Sequence, residues 1–230
     1  MTVWKRLSMP REITRTFPEF FVQLKKLGFS PSTCIDVGAA SGTDSIYKAF
    51  PNALHVAFEP LEDFQDQLKK ILKPYRHEIH QCALMDTDGE KPILRQTANL
   101  YTSSLMHSRS SEDERLSSVA VKKLDDVMAE HDLAGGLLIK TDCQGADLFV
   151  LKGGLQTLKK ADIVIVETSL FKFWGPNHPD FFEIIRFMRQ RGFVVYDILD
   201  GIFRPHDKAL GQVDLVFAKN KGPIRASSQW

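Results

Sequence analysis

The chain has 230 residues, 43% hydrophobic and 26% charged, a composition that suits one globular α/β domain and is short for two. Its formal charge of +1 argues against a nucleic-acid partner or an anionic membrane surface, since either needs a marked basic excess. No apolar run approaches the roughly 20 residues of a bilayer span, so no membrane span is expected.

Three cysteines, Cys34, Cys82 and Cys143, are odd in number, widely spaced and set in apolar stretches that read as strands. Free thiols in a reducing compartment explain them better than disulfides or a zinc site. The start, Met1-Thr-Val-Trp-Lys-Arg, lacks the apolar core of a signal peptide. A cytoplasmic protein is expected.

In chain order, residues 1–30 predict a helical segment packed on the core. Phe17, Phe20, Phe21, Leu24 and Leu27 share one helical face. Thr16 with Glu19 suggests a capping box, and Gly28 a C-terminal stop. A strand at Thr33–Val37, a glycine turn, a short helix through 47–50 and a strand at Leu54–Phe58 follow. Leu61, Phe64, Leu68, Ile71 and Leu72 mark an amphipathic helix, and a strand is expected around 79–84. Residues 86–118 are less regular, with a turn signal at Asp88-Gly89 and a polar run over 108–118. A short strand at 119–123 leads into a helix from Asp125. Leu137–Thr141 is apolar enough for a buried strand, with a helix from Ala146 after it. The β-branched run 163–167 predicts a strand covered on both faces. Phe181, Phe182, Ile184, Ile185, Phe187 and Met188 predict a buried helix with Pro179 near its first turn. Strands at 193–199 and 213–218 are joined without a helix, and 220–230 is expected to be a loose tail.

With no repeat and no linker, residues 31–219 form one predicted domain. Strands alternating with helices imply a parallel sheet with helices on both faces. The last pair, lacking a crossover helix, implies an antiparallel terminal hairpin at the sheet edge. A Rossmann-like, seven-stranded, mostly parallel sheet ending so is the class I methyltransferase architecture, distinct from the dinucleotide-binding one.

Asp36-Val-Gly38-Ala39-Ala-Ser-Gly42 lies between a strand and a helix, where an open α/β sheet places its ligand. Gly38 is expected to let the backbone approach the ligand, and Gly42 to allow tight entry into the helix. The spacing is G-x-x-x-G, unlike the G-x-G-x-x-G of pyrophosphate binders. S-adenosylmethionine carries a cationic sulfonium and an ammonium, which suit Asp36 at the strand end. Glu59, followed by Pro60, ends the next strand, where a carboxylate accepts from ribose hydroxyls. Region 77–88 is expected to approach the adenine, with Cys82, Ala83 and Leu84 as candidate lining or ordinary core.

A second cluster is Lys140-Thr-Asp142-Cys-Gln144-Gly145-Ala-Asp147. A buried strand rarely ends in so many polar groups unless they line a cleft. The alternative is a helix cap, with Asp142 or Gln144 binding free N–H groups. Asp142 is the first candidate for the catalytic base or for a ligand of the methionine moiety. Lys140 either stabilises a developing alkoxide or pairs with Asp142. Glu167 is expected to face the same cleft or to point to water.

The sequence resembles the FkbM-type methyltransferases. The resemblance rests on Ile35-Asp-Val-Gly-Ala-Ala-Ser-Gly42, Phe58-Glu-Pro60, Leu124-Asp-Asp126 and Leu138-Ile-Lys-Thr-Asp-Cys-Gln-Gly145. It continues through Leu151-Lys-Gly-Gly154, Val166-Glu-Thr168, Gly192-Phe193 and Val213-Asp-Leu-Val-Phe217. It implies a class I fold, S-adenosyl-L-methionine as donor, and O-methylation of a hydroxyl on a sugar, glycan or natural product. The family pattern usually has Asn at Ala40 and Glu at Asp147. Thr102, Ser103 and Ser104 fall in a segment resembling the family's serine-containing block, as contacts for donor or acceptor, or as a polar loop. His107 and His178 are read as surface histidines with a base as the alternative. Acceptor contacts are expected from 97–118 and from 170–178, where Phe171, Phe173 and Trp174 could stack on sugar faces or make core or dimer contacts.

No metal site is expected, because no tight His or Cys spacing accompanies the acids. The competing readings are an NAD-type oxidoreductase, a nucleic-acid N-methyltransferase and a catalytically inactive methyltransferase-fold binding protein. The glycine spacing, the missing Asn/Asp-Pro-Pro-aromatic block and the Asp36, Glu59 and Asp142 set weigh against them in turn. A homo-oligomer is possible on this reading.

Overall fold

The computed structural model describes residues 14–96, 99–106, 114–227 and 229. Helix α1 (Phe17–Lys26) starts at the predicted box, where the Glu19 carboxylate accepts from the Thr16 N–H at 2.9 Å. Phe20, Phe21 and Leu24 form its buried face, while Leu27, just past the last turn, is exposed. The chain continues through β1 (Thr33–Val37), α2 (Asp44–Ala49), β2 (Leu54–Phe58), α3 (Glu62–Leu72), β3 (Arg76–His80) and β4 (Ala83–Leu84). Then come β5 (Gly89–Gln96), β6 (Glu114–Lys122), α4 (Leu124–Met128), β7 (Leu137–Thr141), α5 (Asp147–Gly153) and α6 (Leu155–Lys160). The last elements are β8 (Ile163–Ser169), α7 (Phe181–Gln190), β9 (Phe193–Phe203) and β10 (Leu210–Lys219).

The main sheet has seven strands in the order β3-β2-β1-β7-β8-β10-β9. Pairing is parallel from β3 to β8, and β10 runs antiparallel to both β8 and β9. This is the doubly covered sheet expected from the alternation of elements. Along each strand, side chains alternate between its two faces. Ile35, Val37, Ile139, Val166 and Leu215 meet Leu148 and Leu151 of α5 and Ile184 and Met188 of α7. Cys34, Leu138, Ile165 and Val216 meet Phe20 and Leu24 of α1, Tyr47 of α2 and Leu68 and Leu72 of α3. Because β1 and β7 are buried along their whole length, they read as continuous apolar runs rather than as alternation.

Five expectations need correction. The strand predicted at 79–84 is two strands: β3 ends at His80, and β4 leaves the main sheet to pair in parallel with β6. The region read as irregular contains β5 and β6, antiparallel from Gly89↔Val121 to Gln96↔Glu114, so a second, three-stranded sheet β4-β6-β5 exists. Phe182 is 66% exposed, since the buried stripe of α7 is Ile184, Phe187 and Met188. The tail is anchored at its start, where Ile224 packs on the core and Arg225 donates to the Val195 carbonyl at 3.3 Å. Cys143 lies in the turn after β7 rather than in a strand, and all three cysteines are unpaired.

Two of the motif blocks are packing devices. The Asp125 carboxylate accepts from the Gln156 and Thr157 N–H groups, capping α6 from another segment. A Cβ on Gly153 would stand 2.0 Å from the Met85 carbonyl oxygen, and one on Gly154 would stand 2.7 Å from the Leu124 side chain. These glycines let α5 press against the end of β4. Gly153→Ala should therefore destabilise the protein by about 3 kcal/mol or more, read as a lower urea midpoint. An unchanged midpoint would mean that the contact yields.

Candidate active site

The cleft opens at the C-terminal ends of β1, β2 and β7, where an open parallel sheet binds its ligands. Its walls include Gly38, Ala40, Glu59, Pro60, Leu61, Phe64, Ala83, Leu84, Ile93, Leu100, Tyr101, Ser103, Leu105, Asp142 and Gln144. Among the predicted residues Gly38, Glu59, Pro60, Cys82, Ala83, Leu84, Ser103, Asp142 and Gln144 are cleft-lining. Ala39, Gly42, Asp36, Lys140 and Glu167 stand outside this wall. The sequence reading missed Ile93, while Leu100, Tyr101 and Leu105 fall in the 97–118 segment expected to make acceptor contacts; the second sheet and its connection bring all four to the cleft.

The turn after β1 carries Gly38 at φ 71° and Ala40 at φ 45°. A Cβ on Gly38 would lie 2.0 Å from the Asp142 carbonyl oxygen, and the Asp142 N–H donates to Val37 O at 3.0 Å. The glycine expected to admit a ligand is needed first to let two turns touch. Gly42, at φ 106°, sits against Tyr47 just before α2. Ala40 adopts a left-handed conformation that disfavours a Cβ and that Asn tolerates better. The conformation aims the Ala40 N–H at Glu59 Oε2 (2.9 Å) while the Leu61 N–H reaches Oε1 (2.8 Å). Gln65 donates to the Glu59 carbonyl at 2.8 Å. Burial pushes the Glu59 carboxyl up to about 7, partly opposed by those two N–H bonds.

Asp36 was expected to face a cationic ligand, and its position argues otherwise. It is 1% exposed and accepts from Tyr47 OH (2.5 Å), Thr43 Oγ1 (3.1 Å) and Thr43 N (3.3 Å). It lies on the α1/α2 face of β1, beneath the turn. Lys140 bridges it to the cleft, with Nζ 3.8 Å from Asp36 and 3.1 Å from Asp142 Oδ2. Burial opposes the ammonium charge, but Asp142, Asp36 and Asp214 outweigh it and hold Lys140 protonated, above its ordinary range.

Gln144 Nε2 donates to Asp142 Oδ1 at 3.1 Å and toward both Glu167 oxygens at 3.3 and 3.4 Å. Glu167 is paired across the sheet with Asp214 of β10. Burial, then Asp142, Asp147 and Asp214, push the Glu167 carboxyl well above the usual range. Burial and Asp142 lift Asp214 to about 7 and Asp147 to about 6. The turn's Cys143 N–H is taken by Asp147 Oδ1 at 3.1 Å, not by Asp142 or Gln144. Among the described residues no group of three or more His, Cys, Asp or Glu is placed to hold a metal ion.

Ser103 Oγ accepts from the Gln96 N–H, Ser104 Oγ donates to the Gln144 carbonyl at 2.7 Å, and Thr102 Oγ1 only closes its own turn. His178 was read as a surface residue. It is 2% exposed, packed with Trp174 against Gly145, and burial lowers its imidazole to about 4. It is therefore a neutral ring at physiological pH. His107 lies outside the described residues. Phe171 stacks under Arg204 and Phe173 rests on Gly211; neither lines the cleft.

Sheet order, terminal hairpin and cleft position define a class I methyltransferase fold. Residues 36–195 match the Methyltransferase FkbM domain, and the chain belongs to that methyltransferase family. The oxidoreductase alternative is thereby set aside. Among solved structures, a candidate rRNA-methylase from Clostridium thermocellum superposes with a TM-score of 0.50 at 9% identity, over 90% of this chain and 99% of that one. The O-methyltransferase TomG from Streptomyces achromogenes, involved in tomaymycin synthesis and solved with S-adenosylmethionine, gives 0.48 at 13% identity, over 88% and 79%. A candidate RNA methyltransferase from Pyrococcus horikoshii gives 0.46 at 17% identity, over 87% and 81%. Such identities speak to fold alone. No curated protein matches the chain in sequence.

The strained Ala40 supplies a stability prediction. Ala40→Gly removes a left-handed cost of about 1–2 kcal/mol and adds roughly 0.5–1 kcal/mol of backbone entropy. A gain of up to about 1 kcal/mol is expected in urea unfolding, whereas Gly38→Ala should leave no folded protein. A loss of stability in Ala40→Gly would mean that its methyl contacts outweigh the strain.

Proposed function

We propose that the protein is an S-adenosylmethionine-dependent O-methyltransferase acting on a hydroxyl of a sugar, glycan or natural product. The observation that carries this reading is one cleft with a buried carboxylate, Glu59, at one end and the Asp142–Gln144 cluster at the other. Glu59 uses one lone pair on each oxygen for backbone N–H groups, which leaves acceptor capacity for the two ribose hydroxyls. Leu84, Ile93, Leu61 and Leu105 supply apolar walls suited to adenine. Asp142 presents a negative group where the methionine end of the donor would lie.

When bound, S-adenosylmethionine supplies a methyl carbon already activated by its sulfonium. What remains for the chain is alignment and proton removal. An aliphatic hydroxyl is very weakly acidic, so a carboxylate within reach of it is required, and Asp142 with Glu167 form the candidate pair. Lys140 neutralises Asp142 from behind, which fits a structural ion pair better than direct contact with a developing alkoxide. The near-neutral net charge and the acids at the reaction end favour an uncharged or cationic acceptor over nucleic acid. Cytoplasmic residence belongs to the same reading and rests on the three unpaired thiols; no helix of the described residues is long and apolar enough to cross a membrane.

Calorimetry with S-adenosylmethionine and with NAD tests the donor. Binding of the first and not the second is expected, and the reverse result would sink the proposal. Glu59→Ala should weaken donor binding about tenfold or more, the cost of losing hydrogen bonds to a charged acceptor. A screen of hydroxylated acceptors with labelled donor tests the reaction, and Asp142→Asn should lower turnover there more than folding stability.

The pH dependence follows from Glu59. Its carboxyl is raised to about 7, so the full acceptor form appears only above that pH. Donor affinity should fall as pH drops from about 8 to 6, and Glu59→Gln should flatten the profile. An equally steep wild-type and Glu59→Gln profile would remove Glu59 from the ribose site.

A further inference from the structure

We propose that Gln144 is a positioning residue for methyl transfer. Its side-chain amide spans two carboxylates, fixing Asp142 at the cleft wall and tying Glu167 to it. This rests on the methyl-transfer reading above.

The backbone shows that the side chain is aimed. Gln144 sits at φ 49°, a left-handed conformation costing about 1–2 kcal/mol for a residue with a Cβ. Such a conformation persists where the surroundings over-determine it, and here two neighbours do so. The Ser104 hydroxyl, buried in the second sheet's connection, donates to the Gln144 carbonyl at 2.7 Å. The next residue, Gly145 at φ 94°, lies so close to Trp174 that a Cβ there would approach its ring to 2.6 Å. Between these anchors the Gln144 side chain has one direction to take, toward the acids.

The two carboxylates are held unequally. Asp142 has a donor on each oxygen, Lys140 on Oδ2 and Gln144 on Oδ1, both at 3.1 Å. Glu167 has only the second amide N–H, shared between its oxygens at 3.3 and 3.4 Å. The charged groups that bear on Glu167 are Asp142 after β7, Asp147 of α5 and Asp214 of β10, with Lys140 of β7 the cation. Burial, together with these acids, drives the Glu167 carboxyl up. A neutral amide suits the position between two acids, since it donates to both and adds no charge. In the transfer step the acceptor oxygen bonds to the methyl carbon and its proton passes to the carboxylate pair that Gln144 spans. The C–S bond pair stays on sulfur, so charge balances.

The test is a pH titration of the carboxyl carbons by ¹³C NMR, with Glu167→Gln identifying the Glu167 signal. In the wild type Glu167 should titrate well above an ordinary glutamate. Gln144→Met keeps the side chain's length but removes both donors, and should raise the Glu167 midpoint by about half to one pH unit. Gln144→Glu places a third carboxylate between the pair and should raise it further. The acid limb of kcat, read on whichever hydroxylated acceptor turns over, should move with that midpoint. A Glu167 midpoint unchanged in both variants overturns the assignment. Calorimetry on the wild type keeps the two ideas apart. Failure to bind S-adenosylmethionine sinks the donor reading, whereas intact binding with an unmoved Glu167 sinks only the role of Gln144.

Discussion

The contact between Gly38 and the backbone of Asp142 is the constraint on which the site depends. The turns after β1 and β7 come so close that no side chain fits between them, and one turn's N–H closes on the last carbonyl of the other strand. This seam forms the floor of the cleft. On one side it carries Ala40, whose N–H orients Glu59; on the other it carries Asp142 and the turn that aims Gln144. A shift at the seam would misplace both ends of the site together, and alignment is most of what methyl transfer asks of a protein.

Electrostatics follows from the same geometry. Lys140 is buried under the seam with Asp36 and Asp142 as its partners, and it is outnumbered by the carboxylates of Asp147, Glu167 and Asp214. Buried ion pairs are poor stabilisers, because desolvation offsets their attraction. Here Asp142, Asp36 and Asp214 together outweigh the desolvation of Lys140 and keep its ammonium charged. The surplus acids pass the cost to their own protonation, which is why Glu167, Asp214 and Asp147 all lie above the ordinary carboxylate range.

The second sheet explains residues that a plain class I fold would leave idle. Pressed against α5 through Gly153, it presents Ile93 to the donor end of the cleft, and its β5–β6 connection adds Leu100, Tyr101, Ser103 and Leu105. Tyr101 OH lies 3.0 Å from Ser41 Oγ, and its ring packs on Phe64. The wall opposite Glu59 is therefore built from a segment distant in sequence, and it is tied back to Gln144 by Ser104.

How much of this was legible follows from the reach of the interactions. Strands β1, β2 and β7 are apolar runs bounded by turn residues, so local pattern alone placed their ends, and the absence of a helix between β9 and β10 declared the antiparallel pair. Glu59, Gly38 and Asp142 were visible because each sits at a strand end beside residues of unusual type. The second sheet was not visible. β5 carries Pro92 and places its two buried residues, Ile93 and Leu94, side by side, so neither a period of two nor one of 3.6 appears. The orientation of Asp36 and the clamp made by Gln144 were invisible for a different reason. Both depend on which way a polar side chain turns, toward Tyr47, 11 residues from Asp36, and toward Glu167, 23 residues from Gln144, and that direction exists only once the sheet has assembled. The sequence by itself determined a doubly covered sheet with a cleft at its strand ends, because periodicity and turn chemistry are local. The tertiary structure alone decided which acids face the cleft, because buried charges settle where the assembled fold supplies donors.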